Sequence, residues 1–222
     1  MRTVFARPFR TLAVGALLVA PLAALVAGPS LAGADCDAAA TVPGATNGPD
    51  ILTGTAGSDI IKGLGGADII KGLGGNDTLC GGGGPDTING GPGEDFIEGQ
   101  PGSDTINADS GPDTIAGGTG ADDIAGGAGI DSMDGNKGND RLRGGPGGDF
   151  VFGGAGGDDI NGGRGNDGLF GQTGNDTMRG GTGNDQLTGG PGTSDFGAGG
   201  PGSDLCFASS TEIIHPSCEF TS

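Results

Sequence analysis

GGTGNDQLT, residues 180–188, carries one carboxylate, Asp185, and one large aliphatic side chain, Leu187, in a frame that is one-third glycine. On its own such a segment buries too little apolar surface to fold. Nine residues earlier GQTGNDTMR, residues 171–179, sets Asp176 and Met178 in the same places. Counting outward in steps of nine gives Asp50, Asp59, Asp68, Asp77, Asp86, Asp95, Asp104, Asp113, Asp122, Asp131, Asp140, Asp149, Asp158, Asp167, Asp176 and Asp185, sixteen in unbroken succession. Two residues before each stands a glycine, from Gly48 to Gly183, and two residues after each stands Leu, Ile, Val or Met, from Leu52 to Leu187. A fixed period of this kind outranks local propensity in deciding the fold.

The nine-residue unit divides into a strand and a turn. The triplet centred on the aliphatic residue predicts a short strand with that side chain inward and its two neighbours outward. The five residues before it must reverse the chain sharply, and their glycines reach the positive-φ conformations such turns use. Turns of this type line up carbonyl oxygens, to which each repeat adds a carboxylate. Asn76, Asn139, Asn166, Asn175 and Asn184, each just before a periodic aspartate, are expected to shape the turns through left-handed backbone angles.

These residues carry a resemblance. GGGGPDTIN (81–89), GGTGADDIA (117–125), GGPGGDFVF (144–152) and GGTGNDQLT (180–188) match the frame G-G-x-G-x-D-x-U-x, with U a large aliphatic residue. That frame resembles the repeats-in-toxin (RTX) nonapeptide over residues 45–207. The resemblance implies an all-β chain, a right-handed parallel β-roll with two nonapeptides per turn, and calcium held in the turns between the short strands.

The chemistry of the frame agrees. Calcium takes six to eight hard oxygen ligands, and carboxylates with backbone carbonyls suit it; zinc would call for His and Cys. Stacked coils lie about 4.8 Å apart, and two bare carboxylates at about 5 Å repel by roughly 3 kcal/mol at an effective dielectric near 20. The expected calcium ligands are the sixteen periodic aspartates and Asp204, and the chain is expected to fold when Ca2+ arrives. Repeat quality varies. Thr55, Leu64 and Leu73 stand at the second glycine position, where the ion is expected to be held less well. Ala108 and Asp109 replace both leading glycines of 108–116, leaving a weaker site or one that gains Asp109 as a ligand. GGPGTSDFGA (189–198) has ten residues and puts Gly197 where the aliphatic belongs. It is read as a bulged, weaker turn, and Asp195 is left out of the ligand set.

The flanks differ from the repeat. Arg2, Arg7 and Arg10, an apolar run over 11–27 and Ala32-Gly33-Ala34 form the pattern of a secretory signal peptide covering residues 1–34. Residues 35–44 are expected to form an N-terminal cap, 45–207 the calcium-binding β-roll, and 208–222, which lose the period, a C-terminal cap containing His215. The protein is accordingly expected to be secreted and extracellular, with no membrane insertion once the leader is removed. An exported chain with four cysteines, Cys36, Cys80, Cys206 and Cys218, is expected to form two disulfides out of three possible pairings. Cys36–Cys80 would tie down the N-terminal segment, and Cys206–Cys218 would staple the C-terminal cap.

The chain carries 10 Lys and Arg against 28 Asp and Glu. Removing the leader takes three arginines and no acids, which moves the formal charge from −18 to −21. That excess disfavours nucleic acid and anionic membranes as partners, both of which need a basic patch. No H-E-x-x-H, no G-x-S-x-G and no second histidine is present, so the chain is read as a binding protein without catalytic residues. The favoured role is a cell-surface or matrix binding module for polysaccharide or protein. Two alternatives stand beside it. One is an ice-binding solenoid built on Thr78, Thr87, Thr105, Thr114 and Thr177; the other is a polysaccharide-modifying enzyme working from the roll surface.

Overall fold

The computed structural model describes residue 36, residues 44–192 and 194–207, and the backbone of 213–214 and 218–219. The expected leader, nearly all of the N-terminal cap segment, and most of the C-terminal segment with His215 lie outside the described residues. Each aliphatic-centred triplet forms a strand, starting with Ile51–Thr53, Ile60–Lys62, Ile69–Lys71 and Thr78–Cys80. Successive strands alternate between two parallel ten-stranded sheets, so each pairs with the strand two ahead of it. Leu52 registers with Ile70 and Ile61 with Leu79. The offset is 18 residues, two nonapeptides per coil, and the all-β parallel roll is as expected. Several later strands, among them Thr87–Pro92 and Phe150–Ala155, run to six residues, because the first turn residues go on pairing along the stack.

The core is a single file. One aliphatic side chain per repeat points inward, and from Ile61 to Leu187 these residues are at most 2% exposed. Their partners within the core are the same position of the next coil and the facing sheet. A column this narrow leaves no space for a second layer, so the turns must hold together by polar contacts.

Those turns stack as a continuous hydrogen-bonded ladder. Gly66 N–H donates to the Gly83 carbonyl at 2.7 Å, Gly84 to Pro101 at 2.8 Å, and Gly165 to Thr182 at 2.8 Å. The approach is too close for side chains: at Gly165, φ is +135°, and a Cβ atom would collide with the Gly147 carbonyl. From Leu64 onward the second turn position is left-handed even where it is not glycine, with φ +78° at Leu64, +85° at Leu73, +73° at Gln100 and +82° at Asp109. Such angles cost an L-residue about 1–2 kcal/mol, so stacking imposes them against local preference.

The ten-residue segment takes up its extra residue in the turn, as the expected bulge would. Its strand, Phe196–Ala198, pairs in parallel with Thr177–Arg179, placing Gly197 opposite Met178. Leu187 likewise registers with Cys206. The offset is 19 in both pairings, so the extra residue is absorbed in the turn and the strand keeps its face. Both sheets then continue past the repeats through Ile213–Ile214 and Cys218–Glu219. Cys36 and Cys80 are bonded with their Cα atoms 6.0 Å apart, as expected. Cys206 is also disulfide-bonded; the side chain of Cys218, its expected partner, lies outside the described residues.

Candidate metal centre

Each periodic aspartate precedes its inward aliphatic by two residues, so it shares that residue's face and also points inward. From Asp68 to Asp204 these carboxylates are at most 2% exposed. Burial of so many acids needs compensation for each oxygen. One oxygen receives it from the protein. Asp68 Oδ1 accepts the backbone N–H of Asp50 at 2.8 Å, Asp86 Oδ1 that of Asp68 at 2.8 Å, and Asp104 Oδ1 that of Asp86 at 2.8 Å. The same bond links every coil to the next on both edges of the roll.

The other oxygen receives nothing. Oδ2 of sixteen aspartates, Asp68 through Asp185 together with Asp195 and Asp204, is buried with no hydrogen-bond partner. Glycine at the head of each repeat makes room for that oxygen. At Gly153 a Cβ atom would stand 2.5 Å from Asp158 Oδ2 and 2.8 Å from the Gly171 carbonyl oxygen. At Gly117 the corresponding distances are 2.5 Å to Asp122 Oδ2 and 2.9 Å to the Gly135 carbonyl. A bare carboxylate oxygen and a carbonyl oxygen thus converge beside most of these glycines. Ala108 places a methyl group at this position in its own coil, where it is fully buried.

Burial forces a choice between a proton and a cation. It pushes the Asp104, Asp113 and Asp140 carboxyls up to about 7, with like charges from neighbouring coils adding to the rise and the amide bond to Oδ1 opposing it. Asp95, Asp149, Asp176 and Asp185 rise to about 6 for the same reasons. Without a counter-ion these seven carboxyls therefore hold protons at mildly acid pH, and their charge is poorly tolerated above it. Hard oxygens, excess negative charge and orphaned acceptors all fit calcium. No three side chains among His, Cys, Asp and Glu converge within the described residues. Carboxylates of successive coils and turn carbonyls would have to complete any shell between them.

Several residues stand apart from the sequence expectation. Asp195, omitted from the expected ligands, is 2% exposed, accepts the Asp176 N–H at 2.9 Å and leaves Oδ2 bare like the rest. Its signal was the resumption of the period at Asp204, which shows that the column survives the insertion. Asp50 and Asp59, included in the set, are only half-buried and differ: Thr46 donates its N–H at 2.7 Å and its hydroxyl at 2.9 Å to Asp50 Oδ2. Thr55 does the same to Asp59 Oδ2, at 2.5 and 3.0 Å. The asparagines, expected to supply left-handed angles, have none. Instead Asn76, Asn139, Asn166 and Asn184 accept, through Oδ1, a backbone N–H from the next coil at 2.8–3.1 Å. Asp109, the alternative ligand, is exposed.

The outer faces bear on the alternatives. Thr87 and Thr105 are neighbours on one sheet, but Asp123, Arg141 and Asp159 follow them in register. Thr78 and Thr114 lie on the other sheet with Phe96 between them. Among the described residues no flat threonine row forms.

A parallel solenoid of two nonapeptides per coil, with a column of half-satisfied carboxylates along its interior edge, belongs to the class of β-rolls. The chain is a member of the RTX calcium-binding nonapeptide repeat family: the family's profile, written for four copies of the repeat, matches residues 44–79, 81–115, 98–133, 134–169, 162–195 and 170–206. A search of curated proteins returned no match. The family implies Ca2+ binding by the roll, and the bare oxygens described above are where this chain's residues fit the ion.

Proposed function

We propose that the protein is exported, folds on taking up calcium outside the cell, and there serves as a rigid cell-surface or matrix binding module. The observation that carries this reading is the column of sixteen buried carboxylate oxygens without a partner. Asp68 to Asp185, with Asp195 and Asp204, would hold the ions together with the turn carbonyls. Bound calcium supplies positive charge between carboxylates that otherwise repel.

The chain's own residues do the remaining work. The amide-to-Oδ1 bonds fix each carboxylate in one orientation, so the bare oxygen faces the glycine cradle rather than rotating to solvent. Single-file packing leaves the apolar core too thin to fold the chain by itself, and the cation contribution then becomes folding free energy. Export is supported by the leader pattern of residues 1–34 and by the Cys36–Cys80 disulfide, a bond favoured in oxidising compartments. In this reading the chain binds and does not catalyse.

Two measurements test it. Far-UV circular dichroism of the cation-stripped mature chain should show little β signal, which millimolar calcium restores; identical spectra in the two conditions contradict calcium-driven folding. A pull-down with cell-wall polysaccharides and intact cells should retain the chain in calcium and release it in EGTA. Retention on nothing in either condition contradicts the surface role.

A further inference from the structure

We propose that the cation ladder has a built-in start: the first coil binds no ion, because Thr46 and Thr55 satisfy the second oxygen of its two aspartates with hydrogen bonds, and the ions begin at Asp68 and Asp77. The inference rests on the calcium reading of the ladder and adds which of the chain's carboxylates take part.

The contrast lies in the second oxygen. At Asp68, Asp77 and every later member of the column, Oδ2 is buried and unpartnered. At Asp50 and Asp59 it accepts two donors from the residue four positions earlier, an N–H and a hydroxyl. Each threonine hydroxyl is itself anchored, accepting the N–H of Gly48 at 3.1 Å and of Gly57 at 3.2 Å. Two hydrogen bonds satisfy that oxygen without a metal. A cation approaching that oxygen would have to displace both, while gaining only a half-buried ligand.

The position of the threonines explains why only the first coil is treated this way. Thr46 and Thr55 occupy the second place of the repeat, which is glycine or a residue without a β-hydroxyl in every later coil from Leu64 onward. Their counterparts Leu64, Leu73, Gln100, Asp109, Asn136 and Gln172 take the left-handed conformation, whereas Thr46 and Thr55 do not. A β-branched residue strongly disfavours that region. The backbone there turns the other way and brings the hydroxyl onto the carboxylate. The first coil has no coil below it among the described repeats to contribute facing carboxylates, so an ion there would have half a cage. Threonine closes the open end.

The test is calcium stoichiometry and midpoint on the full mature chain, by native mass spectrometry and by titration followed with circular dichroism. The pair Asp50→Asn and Asp59→Asn keeps an oxygen that accepts from threonine and removes only charge. It should bind the same number of ions as wild type, at a midpoint within twofold. The pair Asp140→Asn and Asp149→Asn makes the same chemical change inside the ladder. It should lose at least one ion and shift the midpoint upward several-fold; if it does not refold, the loss of calcium-induced β signal reads the same dependence. Fewer ions bound by the Asp50/Asp59 variant would overturn the inference while leaving the ladder intact. An unchanged count and midpoint in the Asp140/Asp149 variant would overturn the ladder itself.

Discussion

Replacing Asp104 by asparagine should move stability in opposite directions with and without calcium. Asp104 is 1% exposed, its Oδ1 holds the Asp86 N–H at 2.8 Å, and its Oδ2 is bare. Asparagine keeps the size, the shape and the acceptor for that amide. Burial raises the carboxyl from 3.8 to about 7, so at pH 8 the ion-free roll must hold this charge at a penalty on the order of 4 kcal/mol. The substituted side chain has no charge to desolvate, and its amide sits where the Gly117 carbonyl also converges. The ion-free variant should recover about 2–4 kcal/mol. In calcium the sign reverses, because a neutral amide replaces a charged ligand. The assay is far-UV circular dichroism at pH 8 on cation-stripped protein folded by titration with an excluded osmolyte, which favours the compact state without supplying charge. Asp104→Asn should fold at lower osmolyte than wild type. In saturating calcium it should melt lower than wild type, by several degrees at about 2–4 °C per kcal/mol for a domain of this size. A variant that needs as much osmolyte as wild type without calcium, or melts identically with it, refutes the reasoning.

Further outcomes follow from the same geometry. Folded-state pKa values raised to about 6 for Asp95 and about 7 for Asp104 and Asp140 mean that the ion-free roll binds more protons than the unfolded chain. Their stabilisation is complete below 3.8 and is lost as pH rises through 6–7. Acidifying the cation-stripped chain from about pH 8 to about 5 should therefore increase β signal, and a flat or falling signal contradicts it. Gly165→Ala should destabilise the calcium-loaded roll by more than about 2 kcal/mol in urea unfolding, since the added Cβ meets the Gly147 carbonyl in a left-handed turn; an unchanged midpoint would show that the turns are looser than described. Ile124→Ala should cost about 2–5 kcal/mol, because Ile124 is fully buried in a single-file core. Reducing Cys36–Cys80, which spans 44 residues, should lower stability by up to about 4 kcal/mol by the loop-entropy argument, read as a drop in the urea midpoint with reductant.

The nine-residue period made the strands, the inward column and the pairing of alternate repeats legible before any coordinates, since side-chain direction in a strand depends only on parity. The ligand column was legible wherever counting in nines holds. Asp195 falls outside the count because counting measures distance along the chain, whereas a turn can absorb one residue without moving the strand that follows. What counting does not reach is the state of the second oxygen at Asp50 and Asp59, which depends on which donors the second turn residue supplies, and Thr46 looks in sequence like a degraded glycine. Average turn preferences predict a backbone role for the asparagines. In the roll their decisive neighbours are the amides of the next coil, which no local reading of the turn contains.

Anomalous diffraction from crystals of the mature chain grown in calcium tests the central claim most directly. Peaks should lie along both edges of the roll, each within ligand distance of a bare aspartate oxygen and a turn carbonyl such as Asp158 Oδ2 and the Gly171 oxygen, with none at Asp50 or Asp59. A folded roll with no anomalous density beside those oxygens would contradict it.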